Sequence, residues 1–262
     1  MFKSGLKDIL TSLKNIKLAL YLASSDIRQR YRRSTLGPFW ITISTSFMIG
    51  SMGLIFGSIF KTPLEIFLPF LAVGLITWGF INTTLMEATS VFPSAEAVIK
   101  QLPLPLFLHV LRMLFRNLII YFHNLIIIPL VIFFLSSPIN LDLLFFIPGL
   151  ILLVINLAWC SLLLGTLCAR FRDVSQIIGS VLQIIFYVSP IIWMPSMLPA
   201  KADIMVLDAN PIFHLLELTR LPWLGQSPSA NNWIVCVLLA IFGWSFTICV
   251  FNKYRDRVSY WV

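Results

Sequence analysis

Hydrophobic and polar positions alternate along this chain on the scale of whole helices. Between charged side chains lie six uncharged stretches, 34–60, 66–86, 117–141, 143–169, 174–200 and 221–252, of 27, 21, 25, 27, 27 and 32 residues. About 20 apolar residues cross a bilayer as a helix, so the pattern predicts six transmembrane helices. Before the first stretch the period changes. Leu6, Ile9, Leu10, Leu13, Ile16 and Leu20 recur at helical spacing on one side, with Lys3, Lys7 and Lys14 off that side and Lys17 at its edge. This predicts an amphipathic helix lying in the membrane surface. The first thirty residues hold no continuous apolar core, so no cleavable signal is expected.

The fold class that follows is an all-α membrane protein: an interfacial segment over 1–33, then a single six-helix domain over 34–262. Two connections carry structure of their own. In "SVFPSAEAVIKQLPLPL", Pro93, Pro103 and Pro105 bracket residues 94–101, with Ser94 placed to cap a helix and Glu96 in its first turn. Val98, Ile99 and Leu102 make its apolar side, too small for a core, as suits a rigid knob that docks into a partner. The segment 195–232 contains Pro195, Pro199, Pro211, Pro222 and Pro228, and its "PIFHLLELTRLPWLG" is too apolar for a solvated loop. Short helices that re-enter the outer leaflet or form a gate suit it.

Composition narrows the class. With 58% hydrophobic and 11% charged residues, the chain cannot enclose its apolar surface in a soluble core. Sixteen of the nineteen Lys and Arg fall in the termini and the second and fourth loops; Lys61, Lys201 and Arg220 fall on the other side. Both termini are therefore expected in the cytoplasm. The net charge of +8 is mostly this topology signal, and no nucleic-acid partner is expected. Cys160, Cys168, Cys236 and Cys249 lie in apolar stretches without metal or redox spacing and read as free and structural. No phosphate-binding loop, HExxH or GxSxG occurs. The chain is thus expected to be no enzyme and to hold no cofactor or metal; any ATP and magnesium must be bound by a partner.

Three groups of residues carry candidate chemistry. On the first span, Gly50, Gly53 and Gly57 with Ser46 form a close-packing face. Trp40, Ser44, Phe47, Ser51 and Ser58 cluster within about 60° on another. Rings and hydroxyls so interleaved can line a sugar path, or serve ordinary helix packing. The third helix carries His109, Arg112, Arg116 and His123 on one face. Charges there must meet protein, water or an anionic ligand; Arg112 and Arg116 are candidate channel-lining residues, with pairing to Glu87 or snorkelling as alternatives. Finally, "DIRQRYRRSTLGPFW" crowds Arg28, Arg30, Arg32 and Arg33 around Tyr31 just before the first span.

The pattern Asp26, Arg28, Arg30, Tyr31, Ser34, Leu36, Gly37 and Trp40 closely resembles the segment joining the interfacial helix to the first span in transmembrane subunits of bacterial polysaccharide ABC exporters, the O-antigen, capsule and teichoic-acid group. The similarity extends through "AEAVIKQLPLP", "NPIFHLLELTR" and the basic tail "YRDRVSYWV". It implies a homodimer with two ATP-binding subunits in the bacterial inner membrane, moving polysaccharide on undecaprenyl diphosphate or a similar lipid, most simply an O-antigen. It further implies that 94–101, with Ser94, Glu96, Val98, Ile99 and Lys100, is the coupling helix that docks the ATPase. Arg28, Arg30, Arg32, Arg33 and Tyr31 would stand at the entrance for the lipid diphosphate, since guanidinium forks pair bidentately with phosphate oxygens. The rival expectation is a membrane-embedded glycosyltransferase or polymerase acting on lipid-linked sugars, which would need clustered carboxylates that this chain lacks.

Overall fold

Inside a bilayer no water meets backbone N–H and C=O groups, so each apolar stretch must close its own hydrogen bonds, and helices do so. The computed structural model describes residues 3–32, 37, 39–135, 140–197 and 207–262. In chain order its helices are α1 (Lys3–Lys14), α2 (Ile16–Arg30), α3 (Phe39–Phe60), α4 (Leu64–Ala88), α5 (Glu96–Gln101) and α6 (Leu106–Leu125). There follow α7 (Ile127–Phe134), α8 (Phe146–Arg170), α9 (Val174–Val188), α10 (Pro211–Arg220) and α11 (Ala230–Trp261).

Among the described residues five helical segments are long and apolar enough to cross a membrane: Phe39–Phe60, Leu64–Ala88, Leu106–Phe134, Leu141–Arg170 and Ala230–Trp261. The stretch 174–200 yields only the 15 residues of α9, ~22 Å at 1.5 Å per residue, against a hydrocarbon core of about 30 Å. Pro190 explains the stop, because the residue before a proline is pushed out of the helical region; Ser189 is extended at φ −80, ψ 144. Among the described residues the structure thus supports five full spans and one shorter apolar helix where six spans were expected.

The core is built around α4, whose residues from Phe67 to Ile81 are buried almost without interruption, the exposed Gly79 excepted. The helix α3 sits at the edge, burying only Thr42, Ile49, Gly53 and Gly57. A Cβ on Gly53 would run into Leu68 Cδ1, and Gly57 lies over Phe67 and Leu64, so the glycine face packs on α4.

The helices α4 and α6 run antiparallel, with Asn117 Nδ2 donating to Thr84 Oγ1 at 3.4 Å and Thr77 Oγ1 3.5 Å from Tyr121 Oη. The N-terminal part of α6 therefore projects past the end of α4. Against this projection pack α1 and α2. The expected single interfacial helix is two, broken at Asn15, whose side chain folds back to Thr11 O at 2.9 Å. Its protein-facing side is mostly small or polar, with Asp8, Ser12, Ala19 and Ala23 buried alongside Ile9 and Ile27, while Leu6, Leu10, Leu13 and Leu20 are 41–51% exposed. A helix that turns its leucines away from its own protein is one that meets lipid.

At the opposite end Asn210 caps α10, accepting from Ile212 N and Phe213 N, and donates to Ser189 Oγ at 2.8 Å. Arg220, fully buried, pairs with Glu217, donates to Pro190 O at 2.6 Å and lies 4.0 Å over the Phe70 ring. It is therefore an internal cation at the end of α9, and it does not act as the loop charge that the count of basic residues took it for.

Candidate functional site: the charged end of the helix bundle

The end of the molecule where α2, α4, α5 and α6 meet gathers most of the residues singled out in the sequence. Asp26 accepts two hydrogen bonds from Arg112, Nε at 2.7 Å and Nη2 at 2.5 Å, and lies 3.6 Å from Arg116. Arg116 in turn donates to Glu87 at 2.6 Å, and Asn117 to the same carboxylate oxygen at 2.8 Å. One continuous ladder, Asp26–Arg112/Arg116–Glu87, thus joins the interfacial helix to the last turn of α4, immediately before the knob. The fork geometry of each arginine suits the two acids, and partial burial strengthens charge-assisted bonds of this kind. Arg112 and Arg116 line a cleft of about 320 Å³ together with Asp26, Glu87, Ser94 and buried His109. No α3 residue borders it.

A second anchor holds the same end. Asp8, its side chain inaccessible, accepts from Leu106 N and Phe107 N, each at 3.0 Å, and from Arg255 Nε at 3.0 Å. It caps the start of α6 from a different helix, meeting two of the backbone N–H groups that every helix N-terminus leaves unpaired, and ties α11 to the same point. Sequence reading passed over Asp8; the available signal was an acid in an otherwise lysine-rich surface helix, on the side away from the leucines.

The knob is a 3₁₀ turn, Pro93–Ala95, leading into the short α5. Ser94 does not cap it: the Ser94 hydroxyl donates back to Val91 O at 3.3 Å, and Ala95 holds the cap position without a side-chain bond. Pro93 causes this by tightening the turn one residue early. Glu96 and Lys100 pair at 2.6 Å across one turn, and the ammonium holds the Glu96 carboxyl below its ordinary pKa. Val98 and Ile99 are half-buried and Ile99 packs on the core, whereas Leu102 is 52% exposed. The outward apolar position is Leu102, beside exposed Ala97.

Arg28, Arg30 and Arg32 stand exposed at the end of α2, with Tyr31 half-buried among them; Arg33, Ser34 and Leu36 lie outside the described residues. Gly37 makes the turn into α3 at φ +56, a conformation that side-chain-bearing residues rarely adopt. Along α3, Trp40, Ser44, Phe47, Ser51 and Ser58 are all exposed, Phe47 to 75%. The hydroxyls of Ser51 and Ser58 donate to Met48 O and Leu54 O of their own helix. The aromatic face and the Arg112–Arg116 ladder are thus separate surfaces. Cys160, Cys168 and Cys236 lie in or against the core and Cys249 faces outward, all as thiols. Among the described residues no three His, Cys, Asp or Glu side chains stand close enough to hold a metal ion.

Comparison with known proteins bears on this arrangement. The profile of the ABC-2 type transporter matches residues 18–222. An O-antigen export system permease protein RfbA of Klebsiella pneumoniae is 25% identical over 254 residues, covering 92% of this chain and 93% of its own. A second RfbA from the same organism is 22% identical over 250 residues, with the same coverage.

Proposed function

The chain belongs to the ABC-2 type transporter family, and from that premise we propose that it is the membrane subunit of an exporter for lipid-linked polysaccharide, O-antigen first among the candidates. The observation that carries this reading is the match to O-antigen export permeases over 92% of the chain. In this reading two copies assemble with two ATP-binding subunits in the bacterial inner membrane. The termini and residues 94–101 face the cytoplasm, and the polymer is carried on a polyprenyl diphosphate.

Family membership makes this a transport subunit whose ATP is hydrolysed by a partner. The chain's own residues then have three tasks. First, α5 receives the partner; it is short, Pro-bracketed and presents Ala97 and Leu102 outward. Second, Arg28, Arg30 and Arg32, exposed at the interfacial level, attract the diphosphate, since guanidinium groups keep their charge and match phosphate oxygens in pairs. Third, the exposed aromatic and hydroxyl face of α3 offers stacking surface to a sugar chain. Arg112 and Arg116 serve differently from a channel lining: bonded to Asp26 and Glu87, they hold α2 and α4 in register.

Deleting the gene in its host and staining surface polysaccharide tests the reading. Loss of surface polymer with lipid-linked polymer retained inside the cell, restored by the intact gene, is expected. Unchanged surface polymer would overturn it.

A further inference from the structure

The end of α4 away from Glu87, ~33 Å along the helix at 1.5 Å per residue, carries a separate pocket of about 220 Å³. Its lining comes from three places: Glu65, Pro69 and Phe70 in the first turns of α4, Met194 just beyond α9, and Trp223 and Gln226 after α10. The last of these walls is preset by its own backbone. Leu221–Leu224 is a 3₁₀ turn followed by Gly225 at φ +71, and Gln226 N donates to Leu221 O at 3.0 Å. The Trp223 indole meets the Phe146 ring edge-on, centroids 5.4 Å apart, which holds it in place. Pro69 and Phe70 are both buried.

The polar groups of the pocket are not engaged by the protein. Glu65 and Gln226 are exposed, and neither side chain has a hydrogen bond or ion pair among the described residues. Pro69 has no N–H to give the carbonyl of Glu65 four residues earlier, so that oxygen lacks its regular helical donor. An ionised carboxylate and a carbonyl only accept, whereas a carboxamide both donates and accepts. A fitting ligand must therefore donate to Glu65, take a hydrogen bond from Gln226 and lay an apolar surface on Trp223.

Adjacent hydroxyls on a saturated ring meet all three demands. An organic cation would suit Glu65 and Trp223 but leave the Gln226 donors unused, and the Phe70 ring already holds the Arg220 guanidinium, 4.0 Å from its centre. An acidic ligand would be repelled by Glu65. The volume is below the ~300–1,000 Å³ of sites for drug-sized molecules, so it suits a single ring. We propose that this pocket is a subsite for one sugar ring without an acidic group, stacked on Trp223 and bonded through its hydroxyls to Glu65 and Gln226. That the ring belongs to the exported polymer, met on the outer face, rests on the transport reading above; the preference for a non-acidic sugar does not.

The test is saturation-transfer NMR with competition binding on the full-length protein in lipid nanodiscs, because glucoside and maltoside detergents would compete. The probes are the methyl glycosides of glucose, galactose, mannose and rhamnose, with N-acetylglucosamine, glucuronate and choline. At least one uncharged sugar should bind, with transfer strongest at the C–H protons of its ring, and glucuronate and choline should bind at least tenfold more weakly. Glu65→Gln should weaken the sugar about tenfold, the scale of one charge-assisted hydrogen bond. Gln226→Ala should weaken it several-fold, and Trp223→Leu should abolish transfer to the ring protons. Failure of every uncharged sugar to bind, equal binding of glucuronate, tighter binding of choline, or undiminished sugar binding by Glu65→Gln would overturn the proposal. Should Trp223→Leu fail to fold for want of its contact with Phe146, the two exposed positions, Glu65 and Gln226, decide the matter. Surface polymer after gene deletion is scored separately, so the transport reading and the subsite can fail independently.

Discussion

At the scale of single residues, charge placement governs what each arginine can do. Arg220 has no access to water, and its charge is met by Glu217, the Pro190 carbonyl and the Phe70 face. Removing one partner of a buried pair leaves an uncompensated charge and costs about 3–5 kcal/mol, whereas replacing both by apolar side chains of similar volume is often tolerated. Glu217→Ala should therefore lower the unfolding midpoint of the purified protein sharply, and the double change Glu217→Leu with Arg220→Met should recover most of it. A double variant as unstable as the single one would show that the pair itself is required.

The arginine cluster between residues 28 and 33 obeys a different rule. Changing Arg28, Arg30, Arg32 and Arg33 together to Lys keeps the charge that orients the membrane segment and loses the planar fork. Normal membrane insertion with lipid-linked polymer accumulating inside the cell is expected if they bind the diphosphate. Full export by the four-lysine protein would reduce the cluster to a topology signal.

At the scale of elements, α5 carries the clearest expectation. Six residues cannot form a stable helix alone; α5 is held because Ile99 packs inward and the Glu96–Lys100 pair spans its one turn. Replacing Ile99 would therefore disturb the fold as well as any docking. The cleaner change is Ala97→Asp with Leu102→Asp, which adds charge to the outward surface. It should abolish co-purification of the ATP-binding subunit and leave insertion and unfolding midpoint unchanged. An intact complex would place the docking surface elsewhere.

At the scale of the whole molecule, α3 is the least buried of the spanning helices, and its two faces part company. The glycine face is packed against α4, so Cys at Gly53 should reduce yield and stability through the clash with Leu68. Cysteines at Trp40, Ser44, Phe47, Ser51 and Ser58 should be tolerated. If that face lines a sugar path, they should react with water-soluble thiol reagents during ATP turnover; uniform protection would make it a lipid or packing face.

The sequence by itself determined which parts of this chain meet the bilayer, because crossing the membrane is a matter of length and apolarity read along the chain. The glycine packing face of α3 is likewise local, written in the spacing of Gly53 and Gly57. Tertiary structure decided the rest. That Asp8 caps α6 from another helix, that Asp26 and Glu87 claim Arg112 and Arg116, and that Arg220 is internal against the Pro190 carbonyl are relations between residues 29 to 247 positions apart. Sequence spacing carries no distance between separate helices. The shortness of α9 follows the same logic: Pro190 is visible in the chain, but the side chains that meet the broken end, Arg220 and Asn210, reach it only once the helices are packed.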